Sequence, residues 1–392
     1  MNKYNFDKII DRHNTKAIKI DALKELFGKS DLLPLWVADM DFEIYEGIVD
    51  AIEKRMSHHI YGYSCPSDGY WQSIIDWQSA NNQFCFTKEE ITYVPGVVKG
   101  LAMAVNFFTE KGDKIVIQSP VYHPFSMVIE GNERIVVKNP LLHNDDDDYA
   151  MDFENLENIF CTEKPRMLIL CNPHNPIGIT WSKDTLARLA HLCKKHEVLV
   201  VSDEIHGDLA MFGNHFTPFA TASSEATENS IILGAPSKTF NIPGLVSSWV
   251  VVKNAKLRNR FFHWLESNEF NEPTFIATIS TEAAYTGGKE WLNAAKKYIE
   301  DNIITVEEYC KKNIPGVKAI RPQASFLIWL DCSGLGLNHD ELIDLFVNKA
   351  RLALNDGEMF GCEGKCHMRF NVASPRSVVI NALERLASII NK

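Results

Sequence analysis

Six short apolar runs constrain the fold of this chain more than any other feature: Lys114–Gln118, Arg134–Val137, Met167–Cys171, Val198–Val201, Ser230–Leu233 and Ser248–Val252. Rich in Val, Ile and Leu without strict polar alternation, they fit strands covered on both faces. Amphipathic helical stretches lie between several of them. In Lys183–His196, Leu186, Leu189, Ala190 and Cys193 share one face, and Lys194, Lys195 and His196 suit the negative end of the helix dipole. Strand–helix alternation predicts an α/β fold with a mainly parallel sheet, its helices placed on both sides by right-handed crossovers.

The pattern changes after Gly287-Gly288. A long helical stretch, Glu290–Lys312, leads into a strand at Ser325–Leu330, a helix at His339–Arg351, a strand near His367–Val372 and a last helix from about Ser377. This part has α+β character. With 392 residues, the chain exceeds what one ordinary core accommodates. The expected division is a large α/β domain over 46–287 and a smaller α+β domain made of 1–45 plus 288–392.

Composition excludes several function classes. A formal net charge of −11 argues against a nucleic-acid binder, which needs a basic face. No apolar run approaches the ~18 residues of a membrane helix, and the start of the chain is charged, with no apolar signal core. The nine cysteines have no disulfide-like rhythm, so a reducing cytoplasm is the expected location. Cys362, Cys366 and His367 match no common zinc spacing, so no metal is expected. The run Asp145–Asp148 reads as a solvated loop.

Ligands of open parallel sheets bind beyond the carboxyl ends of the strands. Here those ends are polar. The first run leads into Ser119-Pro120-Val121-Tyr122, and the third into Asn172-Pro173-His174-Asn175. The fourth leads into Ser202-Asp203-Glu204-Ile205-His206, and the fifth into Ala235-Pro236-Ser237-Lys238. A lysine there can form an imine with an aldehyde if its amine is partly deprotonated. A carboxylate can keep a pyridine nitrogen protonated, an amide can donate to a phenolate oxygen, and a tyrosine ring can stack on a flat heterocycle. Gly96, Val97 and Val98 open a helical stretch whose amides can bind phosphate. Pyridoxal 5′-phosphate (PLP) carries all of the matching groups.

Asn172–Gly178, Ser202–His206 and Ser237–Asn241 resemble, in order and spacing, the motifs of fold-type I PLP enzymes in the class I/II aminotransferase superfamily. The segments Trp36–Phe42 and His59–Tyr63 are similar to those of the cystathionine β-lyase-like C–S lyases, which include cystalysin-type cysteine desulfhydrases. The likeness runs from about Trp36 to Arg376. It implies the aspartate aminotransferase-like PLP-transferase fold and α,β-elimination from cystathionine, cysteine or another S-conjugate to a thiol, pyruvate and ammonia.

Residue roles follow from the same resemblance. Lys238 carries the cofactor as a Schiff base and acts as catalytic base. Asp203 pairs with the pyridine nitrogen, Asn175 bonds the phenolate oxygen, and Tyr122 stacks on the ring and borders the substrate. Gly96, Val97, Val98 and Ser237 surround the phosphate, and Arg369 takes the substrate carboxylate. Tyr63, with Tyr61 as its near rival, reaches the cofactor of a neighbouring subunit, which implies a homodimer.

Two positions depart from the wider superfamily. Val246 stands where many relatives have a phosphate-gripping arginine, and His206, which the resemblance places among the cofactor-binding residues, stands where many aminotransferases have a tyrosine. Both favour the lyase branch over an aminotransferase, which is the alternative activity. A binding or regulatory protein that keeps the PLP fold is a further alternative. Each residue also has a plain structural reading when taken alone: Lys238 a surface lysine, Asp203 a helix cap, Asn175-Pro176 a turn, Tyr122 a core aromatic, Arg369 a surface ion pair.

Overall fold

The computed structural model describes residues 3–144 and 148–391. Asp145, Asp146 and Asp147 lie outside the described residues. Seven strands form the main sheet: β1 (Ile91–Val94), β2 (Lys114–Ile117), β3 (Ile135–Lys138), β4 (Met167–Cys171), β5 (Leu199–Asp203), β6 (Ser230–Gly234) and β7 (Ser248–Val251). Their order across the sheet is β1-β7-β6-β5-β4-β2-β3. Only β7 runs against its neighbours, so the other six point the same way.

The six expected runs are all strands. β1 is an addition: Ile91-Thr92-Tyr93-Val94 is short and is followed at once by Pro95. The central strands are as apolar as their burial requires. Ile169, Leu170, Val200, Val201, Ile231 and Leu233 are all at most 1% exposed. Burying each such side chain stabilises the fold by about 1.5–3 kcal/mol relative to leaving it in water. Gly234 is required where β6 meets β7, because a Cβ there would stand 2.3 Å from the Trp249 ring.

Helices named below are α1 (Glu46–Met56), α2 (Asp68–Asn82), α3 (Val97–Phe108), α4 (Lys183–Lys195), α5 (Phe275–Gly287), α6 (Lys289–Asn313) and α7 (Arg376–Ile390). α6 and α7 occur close to their expected positions. The helix expected over His339–Arg351 is instead a short α-helix, His339–Ile343, that continues as a π-helical turn over Asp344–Lys349. A second, antiparallel sheet contains β8 (Lys318–Ile320), β9 (Leu327–Asp331), β10 (Asn355–Asp356) and β11 (His367–Asn371), in the order β8-β9-β11-β10. The N-terminal arm joins this half of the chain through Leu33 and Pro34, which pair with Leu352 and Ala353. No helix among the described residues is long and apolar enough to cross a membrane.

Candidate active site

Because six strands share one direction, the carboxyl ends of β1, β2, β4, β5 and β6 lie on one edge of the sheet. A cavity of about 300 Å³ opens there. Gly96, Val97 and Val98 line it from the β1 side, Tyr122 from β2 and Asn175 from β4. Asp203 ends β5 and His206 follows it, and Ser237 and Lys238 follow β6. Nine of the residues expected around a cofactor therefore border a single space.

Local backbone chemistry explains the phosphate end. Gly96 has φ +112°, a conformation that side chains disfavour, and open space lies where its Cβ would be. Its carbonyl accepts from Gly100 N at 2.8 Å, so the amides of residues 97–99 remain the open first-turn donors of α3. These amides and the nearby Ser237 make an anion cradle that needs no arginine. Val246, in place of that arginine, lines the same cavity.

At the other end, the Lys238 amine donates to the Ala38 carbonyl at 2.5 Å. Burial, reinforced by the positive charge of Arg369, lowers its pKa to about 8, although Asp39 and Asp203 pull the other way. Burial raises the Asp203 carboxyl to about 6, against a bond from Ile205 N at 3.1 Å and the nearby Lys238 charge. His206 is pushed down to about 3 by burial and by the charges of Lys238 and Arg369, so it is neutral. Burial likewise raises the Tyr122 hydroxyl above its ordinary value.

Arg369 projects from β11 towards the same place. Its guanidinium donates to Asn175 Oδ1 at 3.0 Å, Asn355 Oδ1 at 2.6 Å and the Trp36 carbonyl at 3.2 Å. Arg369 is 4% exposed, and its Nε has no partner. Among the described residues it has no carboxylate partner within 4.0 Å, and burial lowers its pKa to about 10. A buried cation without an anion is costly, so the arrangement suits an incoming carboxylate.

Ala38 was not legible as a site residue, because a backbone carbonyl leaves no side-chain signature. The segment that carries it is tied down at many points. Asn371 Nδ2 donates to the carbonyls of Val37 and Asp39 at 2.6 and 2.7 Å. Asn241 accepts from Met40 N and donates to Met40 O. Arg12 pairs with Asp39 and Asp41, each at 2.7 Å, and the fully buried Lys19 pairs with Asp41 at 2.7 Å. Burial pushes the Asp39 carboxyl up, but Arg12 and Lys19 outweigh it and hold the group below its ordinary range. Asp39 and Asp41 thus anchor the arm, and Asp39 also acts on Lys238 at longer range.

The structure does not bring Tyr63 to this cavity. Its side chain is completely exposed. Tyr61 is committed to its own chain: its hydroxyl donates to Met56 O at 2.9 Å, and its ring stacks on Phe275. His123 lies beside Tyr122 with its ring centroid 5.5 Å away and its Nδ1 unpartnered. Among the described residues, no cluster of three or more His, Cys, Asp or Glu could hold a metal. Cys362 is exposed, and His367 stacks on Trp329.

Comparison with known proteins places the chain in a family. The family described as aminotransferase class I and II matches residues 31–386. The chain belongs to this family. Within the aminotransferase class I and II family, it is similar to cystathionine beta-lyase PatB of Bacillus subtilis (strain 168), with 41% identity over 387 residues, covering 99% of this chain and 100% of that protein. It is also similar to protein MalY of Escherichia coli (strain K12), with 30% identity over 389 residues and 99% of each chain covered. Among solved structures, PLP-containing cystalysin from Treponema denticola superposes with a TM-score of 0.95 at 31% identity, covering 99% of both chains. The PLP-bound C–S lyase from Staphylococcus hominis superposes with a TM-score of 0.92 at 31% identity, covering 99% of this chain and 98% of that one.

Proposed function

We propose that this family member is a PLP-dependent carbon–sulfur β-lyase that splits cystathionine, cysteine or a related S-conjugate into a thiol, pyruvate and ammonia. The observation that carries this reading is a depressed-pKa lysine, Lys238, lining the cavity, together with a buried arginine, Arg369, that bonds the lining residue Asn175 and has no carboxylate partner among the described residues. Likeness to proteins named as cystathionine β-lyase and C–S lyase supports the lyase chemistry.

The residues present fit PLP. The open amides of 97–99 with Ser237 suit its phosphate, Asp203 its pyridine nitrogen, Asn175 its phenolate oxygen, Tyr122 its ring face and Lys238 its aldehyde. When bound, PLP supplies an electron sink for the pair left at the substrate Cα. Arg369 holds the α-carboxylate and so orients the Cα–H bond. Lys238, once freed, takes the Cα proton, and its low pKa keeps a usable fraction neutral near neutrality. Asp203 keeps a proton on the ring nitrogen; pairing with that cation favours its ionised form. Neutral His206 adds no charge beside it.

The pH dependence of cofactor attachment follows from Lys238. Only the neutral amine attacks an aldehyde. The attachment rate of PLP to cofactor-free protein is therefore expected to rise about tenfold per pH unit below pH 8 and level off above it. Stopped-flow absorbance reads this directly. A rate that still climbs beyond pH 9.5 contradicts a depressed lysine.

Arg369→Lys is expected to raise KM about 10–100-fold with a smaller change in kcat, because one ammonium replaces a planar fork that two asparagines hold in place. Steady-state kinetics with cystathionine check this, and an unchanged KM would place the carboxylate elsewhere.

We further propose that two chains form a homodimer in which Tyr63 completes the partner's site, and that the protein acts in the cytoplasm. The support is the contrast between exposed Tyr63 and committed Tyr61. We take the division into 46–287 and 1–45 plus 288–392 as the domain organisation. Mixing Tyr63→Ala chains with Lys238→Ala chains is expected to restore activity, since a hybrid dimer contains one site with both residues. Hybrid dimers without recovered activity contradict the shared site.

The lyase reading is tested against an aminotransferase by pairing a non-eliminating amino acid with a 2-oxo acid. Little or no new amino acid is expected. Rapid transamination in the absence of elimination from cystathionine overturns the proposal.

A further inference from the structure

A second cavity, of about 500 Å³, lies between the end of α2, the start of α6 and the loop that follows β5. It shares no lining residue with the cofactor cavity. Its volume is in the range of small-metabolite sites. Lys183, Lys289 and Lys296 all line it, with His215 and Asn293.

Among the described residues, none of the three amines has a carboxylate within 4.0 Å. Lys289 reaches the Asn81 side-chain carbonyl and lies 5.3 Å from the Trp77 ring centroid. Lys296 is half-buried, and its amine donates to the Asp208 carbonyl at 3.4 Å. The Asp208 and Glu300 carboxylates act on it only at longer range, and burial lowers its pKa. Asp208 is the one acidic residue of the lining, and its carboxylate is already occupied. Oδ1 accepts from Trp77 Nε1 at 3.0 Å and Asn82 Nδ2 at 3.1 Å, and Oδ2 accepts from Thr239 at 2.9 Å.

The positions of the lysines add to the imbalance. Lys183 and Lys289 are the first residues of α4 and α6. A cation there opposes the positive end of the helix dipole instead of complementing it. Three ammonium groups without an ion-pair partner among the described residues border this one cleft, with Lys183 and Lys289 exposed at its rim, and the Lys289 and Lys296 charges oppose each other, a cost that an added anion relieves. We infer that this cavity is a binding site for a small, multiply charged oxyanion, bearing either several carboxylates or phosphate groups.

The test uses the PLP-loaded enzyme, with citrate and pyrophosphate as probes and sodium chloride at matched ionic strength as control. Citrate, pyrophosphate or both are expected to raise Tm saturably where chloride does not. A response to citrate alone assigns polycarboxylates, and one to pyrophosphate alone assigns phosphates. Lys289→Gln and Lys296→Gln are each expected to weaken the apparent affinity about tenfold or more. Neither residue belongs to the catalytic cavity, so basal turnover is expected to stay unchanged. Asn293→Asp, at an exposed position, places a negative charge at the cavity and should weaken binding without removing a lysine. The inference is overturned if neither probe exceeds chloride, or if the three variants respond as the parent does.

Discussion

Replacing Lys238 with alanine is expected to lower the rate of pyruvate formation by a factor on the order of 10³ or more and to remove the visible absorbance of lysine-bound PLP. The size of the effect follows from the two tasks that meet on one amine. It attaches the cofactor and, when free, moves the Cα proton. No neighbour replaces it: His206 is neutral but buried with a strongly depressed pKa, and Tyr122 is held protonated by burial. The fold should tolerate the change, since among the described residues the amine donates only to Ala38 O. Retained PLP absorbance at the parent's wavelength in Lys238→Ala, or activity within tenfold of the parent, contradicts the assignment.

The second large effect is expected at Asp203. Asp203→Asn keeps the volume and can still accept from Ile205 N, so folding should change little. It removes the negative charge that holds a proton on the pyridine nitrogen. Without that proton, the ring withdraws electrons weakly, and kcat is expected to fall about 10²–10³-fold, within the range of a misplaced catalytic proton. PLP should also dissociate more readily. Spectrophotometric titration with PLP and kcat measured at saturating cofactor separate the two losses. A kcat within threefold of the parent at full PLP occupancy means that Asp203 does not face the ring nitrogen.

Much of this site was legible because its side chains follow strands whose apolar runs are hard to mistake. Asp203 ends a buried strand, Asn175 and Lys238 each stand a few residues beyond one, and parallel strands necessarily carry such positions to one edge. β1 was harder to read. Thr92 and Tyr93 interrupt its apolar run, and its place beside β7 depends on a pairing with residues more than 150 positions away.

The parts of the site that were not legible depend on contacts distant in sequence. Ala38 acts through its carbonyl, and the charges that fix its segment come from Arg12 and Lys19. Asn355 supports Arg369 only because β10 lies beside β11. The change from α- to π-helical geometry at Asp344–Lys349 likewise has no periodic signal. Tyr63 differs from all of these: the role we propose for it depends on a second chain, and in one chain it simply faces outwards.

We propose that the cavity at the strand ends directs the substrate's electrons into loss of a Cβ thiol. The most direct measurement follows free thiol and pyruvate together as the PLP-loaded protein turns over cystathionine. One pyruvate per thiol, with both products absent for Lys238→Ala, is the predicted result. PLP-loaded protein that releases neither product contradicts the claim, as does protein that consumes cystathionine while forming a new amino acid in place of pyruvate.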